Sequence, residues 1–164
     1  MSAPPFRTRV IGVAEMYASA DPTERLITYS LGSCLGLTLF DPIVRIGGLL
    51  HSMLPNSQMN KEKAAANPSM FTDSGIVALL QALLGAGAHK ADLVAKIAGC
   101  GAPLDLEHSF QIGEKNHVIA RKLLWKNGIM ISGEDVGGSH PRTMILHMDS
   151  GVTTVKAGGQ EYEL

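Results

Sequence analysis

The chain has 164 residues, 45% hydrophobic and 18% charged, which is enough apolar chain for a packed core and excludes a disordered composition. Fourteen basic against fifteen acidic residues give a formal charge of −1, and no basic cluster marks a nucleic-acid surface. No apolar run approaches the roughly 20 residues of a membrane span, and Met1 to Val10 lacks the apolar stretch of a signal peptide, so one cytoplasmic domain over residues 1–164 is expected.

In chain order, residues 1–8 read as a loose lead-in, with Pro4-Pro5 blocking regular structure. Arg9 to Tyr17 reads as a strand, Ala18 to Arg25 as a turn around Asp21-Pro22, and Leu26-Ile27 as a new strand leading to Thr28. Leu35, Leu37 and Leu39 alternate with Gly36, Thr38 and Phe40, a strand period that Asp41-Pro42 ends as a turn. A second apolar run from Ile43 reaches His51 and stops at Pro55. Asn56 to Phe71 is polar and rich in small residues, the pattern of a long loop beside the His51 end. Thr72 or Asp73 suits a helix N-cap, and Ile76, Leu79, Leu80, Leu83 and Leu84 then make one helix face, ended by Gly85 and Gly87. Leu93 to Ile97 is a buried strand closed by Gly99-Cys100-Gly101. Glu114 to Trp125 is a second helix with Val118, Ile119, Leu123 and Leu124 inward and Asn127-Gly128 as its stop. Ile129 to Ile131 is a strand and Gly133 to Pro141 a loop. Met144 to Met148 and Val152 to Lys156 form a hairpin, and Gly158 to Leu164 reads as a frayed end. Strand runs with two main helices predict an α+β fold with mixed and antiparallel sheets.

The chemistry concentrates in residues 26–55. If the chain folds back at Asp41-Pro42, Cys34 and His51 emerge at the same end of an antiparallel hairpin. Opposed side chains there lie about 5 Å apart, close enough for a thiol nucleophile and an imidazole base. Gly32 would offer backbone N–H groups to an oxyanion, and Gly47-Gly48 would admit another backbone or a substrate closely. The plainer alternative is a small buried thiol and a structural imidazole. Such a pair suits acyl transfer, and side-chain amides and peptide bonds are equally open to it. Thr28 on its own is an ordinary β-branched strand residue. Cys100 reads as structural, and a reducing compartment argues against a Cys34–Cys100 disulfide. There is no C-x-x-C or H-E-x-x-H, so no metal or cofactor is expected. His89 and His108 read as loop or surface residues, and His147 as structural.

Thr28, Leu31-Gly32-Ser33-Cys34, Gly36, Asp41-Pro42, Gly47-Gly48, His51 and Met53-Leu54-Pro55 together resemble the signature of the CheD family of chemoreceptor glutamine deamidases. Ile112-Gly113-Glu114-Lys115-Asn116 resembles its "IGxxN" element, and Gly137-Gly138 with Arg142 its "GGxxGR" element, with Pro141 where the family usually has Gly. The resemblance implies a layered αβ sandwich, with Cys34 as nucleophile, His51 as general base and acid, and Thr28 as orienting residue. It implies chemoreceptor helices as substrate, the phosphatase CheC as partner, ammonia release from glutamine and a shallow cleft. A non-catalytic adaptor using that cleft, and a protease or transglutaminase-like enzyme, are the competing readings.

Overall fold

The structure is a computed structural model describing residues 5–103 and 107–164, the side chains of 107–110 excepted. Its elements are β1 (Arg7–Val10), β2 (Glu15–Ser19), β3 (Glu24–Leu31), β4 (Leu35–Asp41), β5 (Ile46–Ser52), α1 (Lys61–Ala66), α2 (Thr72–Gly85), β6 (Val94–Gly99), α3 (Glu107–Lys126), β7 (Met130–Val136), β8 (Arg142–His147), β9 (Thr153–Ala157) and β10 (Gln160–Glu163). One sheet runs β1-β3-β8-β9-β10 and the other β2-β5-β4-β6-β7. The pairs β1·β3 and β6·β7 are parallel and the other pairings antiparallel.

β4 explains the layering. All its residues are buried, as in a strand covered on both faces. Leu35, Leu37 and Leu39 join Ile76, Leu79 and Leu83 of α2 and Ala120 and Leu124 of α3 in the core under the helices. On the other face, Phe40 packs with Leu26, Leu49 and Leu146 against the facing sheet. Helices, sheet and sheet therefore form three layers, the expected α+β sandwich with mixed sheets. Gly47 and Gly48 carry no side chain because a Cβ there would meet Phe40 Cδ2 at 2.6 Å or the Tyr17 carbonyl at 2.7 Å. The close approach they allow is to β4 and β2, three to four residues along from His51.

Several boundaries differ from the sequence reading. Pro4 and the His108 side chain fall outside the described residues, and Arg7 and Thr8 belong to β1, a strand and not a lead-in. The strand expected over Arg9 to Tyr17 is broken at Ile11 to Ala14, where Ala14 has φ +60, into β1 and β2 in different sheets. Residues 56–71 carry α1 and two 3-10 turns, each entered through an Asn side-chain cap: Asn56, Asn60 and Asn67. Phe71 sits at the N-cap of α2 and bonds no side chain there. The Asp73 carboxylate instead accepts from Ser57 N and Oγ at 2.9 and 2.7 Å. α3 begins at Glu107, and its inward stripe is Gly113, Asn116, Ala120 and Leu124, with Val118 exposed. β7 extends through the supposed loop to Val136. Gly158 and Gly159, at φ +57 and +78, turn the chain into β10, so the C-terminus is paired with β9 and not frayed.

Candidate active site

The β4–β5 hairpin turns where Asp41-Pro42 places it, with Asp41 opposite Ile46. Its open end brings together the residues singled out in the sequence. His51 lies opposite Gly36, so Cys34 is its diagonal neighbour on the same face, at about 7–8 Å between backbones rather than directly opposed. That face looks into the space between the sheets. Cys34 packs against Leu31, Ala98, Met144 and Val155 there and is partly exposed, whereas His51 is fully buried. Gly36 must lack a side chain, because a Cβ would meet Leu31 Cδ1 at 2.6 Å and Met144 Sδ at 2.9 Å.

Thr28, fully buried on β3 of the facing sheet, fixes the imidazole. Its hydroxyl has one proton and donates it to the Ile11 carbonyl at 2.7 Å. It can therefore only accept from His51 Nδ1, also at 2.7 Å. The proton of the neutral ring thus sits on Nδ1, and Nε2 presents a lone pair. Nε2 has no hydrogen-bond partner among the described residues. Burial lowers the His51 pKa from its ordinary 6.5 to about 4 and raises that of the Cys34 thiol. At neutral pH the site rests as thiol and imidazole, not as an ion pair.

The backbone around Cys34 is held on one side. The carbonyls of Gly32, Ser33 and Cys34 accept, in turn, from Gly101 N at 2.8 Å, Asn116 Nδ2 at 3.0 Å and Cys100 N at 2.8 Å. The amide of Gly32 itself is engaged locally. Its N–H bonds the Ser30 carbonyl at 3.0 Å, across a turn in which Ser30 has φ +60. Among the described residues the N–H groups of Ser33 and Cys34 have no acceptor. They are free backbone donors next to the thiol, the kind of group a developing oxyanion needs.

Cys100 faces the helix-side core while Cys34 faces the inter-sheet cluster, and both thiols are free. Burial first, then the neighbouring Cys34, pushes the Cys100 thiol up to about 12. Arg142 is buried and donates to Asp135 Oδ1 at 3.2 Å and the Gly99 carbonyl at 3.4 Å, so it ties β8 to β6 and β7 with Pro141 before it. His147 bonds Thr154 Oγ1 at 3.1 Å, and His89 is exposed at the surface. Asp41, His89 and Asp92 have ligand atoms within 4.8 Å of one another. Asp41 is, however, already used as a turn clamp: its oxygens accept from the N–H groups of Ile43, Val44 and His89 at 2.9, 3.3 and 2.8 Å. Beside the hairpin mouth, Pro55, Met59, Ile112, Val118 and Ile119 line an open groove of about 660 Å³ between the residues after His51 and α3. No described helix is long and apolar enough to cross a membrane.

A family model described as CheD chemotactic sensory transduction matches residues 53–157. A Solibacter usitatus protein named probable chemoreceptor glutamine deamidase CheD is 41% identical over 155 residues, covering 94% of this chain and 92% of that protein. A Syntrophus aciditrophicus protein of the same description is 41% identical over 150 residues, covering 92% of this chain and 94% of its own. One from Moorella thermoacetica is 40% identical over 155 residues, covering 92% and 90%. Among solved structures, Bacillus licheniformis hypothetical protein YfiH is similar at a TM-score of 0.46 and 18% identity, over 76% of this chain and 50% of that one.

Proposed function

The chain belongs to the CheD family, and from that premise we propose that it is a cytoplasmic protein-glutamine deamidase of bacterial chemotaxis, one domain that converts glutamine side chains of chemoreceptor helices to glutamate. Cys34 is the nucleophile, His51 the base and acid, and Thr28 the residue that orients His51. The observation that carries this reading is the Thr28–His51 bond. It leaves a lone pair on Nε2, on the same face as the one partly exposed thiol of the two in the chain.

The steps follow from a neutral resting pair. Cys34 Sγ attacks the glutamine side-chain carbonyl as its proton passes to His51 Nε2. The Cys34 and Ser33 N–H groups take the oxyanion. Collapse breaks the carbon–nitrogen bond, and His51 returns the proton to the departing ammonia, leaving a thioester on Cys34. Water, deprotonated by His51, then attacks the thioester. Glutamate leaves and the thiol is restored, for a net exchange of ammonia for water. The imidazolium exists only during turnover, and its Nδ1–H bond to Thr28 stabilises it then. Partial exposure of Cys34 fits a substrate presented on the outside of a helix, and the apolar groove beside α3 offers a place for that helix's neighbouring side chains. CheC is the regulatory partner we assign to the same cleft.

Incubation of a receptor cytoplasmic-helix fragment with the chain, followed by peptide mass spectrometry, tests the reading. Wild type should convert selected glutamines to the acid, and Cys34→Ala should convert none. Conversion by Cys34→Ala would remove the cysteine mechanism. Peptide cleavage, or amine incorporation in place of ammonia release, would reassign the reaction.

A further inference from the structure

α3 reaches the site through two residues one helical turn apart. A Cβ at Gly113 would lie 2.4 Å from the Gly101 carbonyl oxygen and 2.6 Å from that of Cys100, so only glycine lets the helix backbone close on that loop. Three residues on, and hence on the same face, Asn116 is fully buried. Its amide nitrogen donates to the Ser33 carbonyl at 3.0 Å and the Met53 carbonyl at 3.1 Å. Both acceptors are carbonyls, so the amide cannot be flipped, and its Oδ1 must accept. It does so from Thr72 Oγ1 at 3.0 Å. Thr72 has then spent its proton and must accept from Ser52 Oγ at 2.7 Å. The direction of the whole chain, Ser52 to Thr72 to Asn116 to the two carbonyls, is fixed by proton count alone.

The two carbonyls flank the two strands at the hairpin mouth. Ser33 immediately precedes Cys34, and Met53 follows His51 by two residues. One primary amide thus spans the nucleophile's strand and the base's strand. Its grip on Ser33 has a second consequence. There is no cis peptide in the described chain, and in a trans peptide the C=O and the following N–H point in opposite directions. Holding the Ser33 oxygen therefore aims the Cys34 N–H away from Asn116, where it has no acceptor among the described residues. The flanking peptides are held by backbone, through Gly101 and Cys100. The middle one is held by a side chain that can be changed.

We propose that Asn116 is a positioning residue of the reaction, aiming the Cys34 N–H at the developing oxyanion. This rests on the deamidase reading above. Asn116 touches no substrate atom; it acts through the Ser33–Cys34 peptide.

Two reactions of the same thiol separate positioning from general damage. Deamidation forms an oxyanion, and alkylation of Cys34 by iodoacetamide does not. In Asn116→Ala, kcat for a receptor fragment should fall about 100- to 1,000-fold, the loss seen when one oxyanion donor is removed. KM and the Cys34 alkylation rate should stay within about threefold of wild type, because ground-state binding and thiol access are untouched. Thr72→Val keeps the Asn116 amide but frees its Oδ1, and should lower kcat about tenfold with the same split. It decides the matter by itself if Asn116→Ala does not fold. Full kcat in these variants, or a parallel fall of deamidation and alkylation, would overturn the proposal while wild-type turnover left the deamidase reading standing. A wild type that leaves every glutamine intact would sink that reading, and this proposal with it.

Discussion

The two ends of the β4–β5 hairpin are built in opposite ways. The turn end is closed largely by its own segment: the Asp41 carboxylate clamps Ile43 and Val44, two and three residues on, and takes one distant partner, the His89 N–H. The open end is assembled from distance. Thr28 comes from the facing sheet, Asn116 from α3, Thr72 from α2, and the amides of residues 100–101 from the loop after β6. A turn needs only to form. A reactive centre needs its groups held from several directions, because each group alone would relax toward a better hydrogen bond or toward water.

Substitutions should sort by end. His51→Ala at the open end removes both proton transfers, and we expect kcat to fall by about 1,000-fold or more with the fold retained. An active His51→Ala protein would dissolve the distinction between the ends. Thr28→Val removes the acceptor for Nδ1–H and frees the ring to turn. It should lower kcat by about 10- to 100-fold, with Thr28→Ser recovering most of the loss. Steady-state kinetics of the pair checks this, and equal activity in Val and Ser variants would contradict it.

The same burial that prepares His51 has a stability signature. Its folded pKa, about 4, lies below its ordinary 6.5. Between those values the unfolded chain binds a proton that the folded chain refuses, so stability rises with pH across the window. The contribution is complete above about pH 6.5 and is lost as pH falls toward 4, amounting to about 3 kcal/mol. Thermal melts of wild type and His51→Gln between those pH values should diverge accordingly. Parallel curves would place the imidazole in water. The smallest effect on turnover belongs to the turn end. Asp41→Ala strands three backbone N–H groups and should cost about 1–3 kcal/mol in a denaturant melt, yet kcat should change less than about twofold.

The same division governed what could be read from the residues. The turn, the alternating leucines of β4 and the shared end of Cys34 and His51 are consequences of local periodicity and turn chemistry and are found as expected, as is the α2 stripe except for Leu84, which is exposed. The errors came where tertiary contact overrides local pattern. The inward face of α3 reaches the expected Leu124 through Gly113, Asn116 and Ala120, and no hydrophobic stripe announces its first turns, because Gly113 and Asn116 pack on backbone carbonyls. The second half of β7, from Gly133, reads as a loop because Glu134 and Asp135 follow a glycine, although β6 pairs it to Val136. That the Gly32 N–H is not among the free amides near the sulfur follows from Ser30, whose positive φ captures it, a conformation its residue type does not advertise. Asn116 was visible as a motif residue, but its partners were not.

The claim on which the chemistry turns is that Thr28 holds His51 as a neutral base with its lone pair on Nε2. Nitrogen NMR of the labelled imidazole, followed from neutral to acid pH, reads that directly. The account predicts a neutral ring protonated on Nδ1 at pH 7, which titrates only near pH 4. A ring protonated on Nε2, or one already an imidazolium at pH 7, would contradict it.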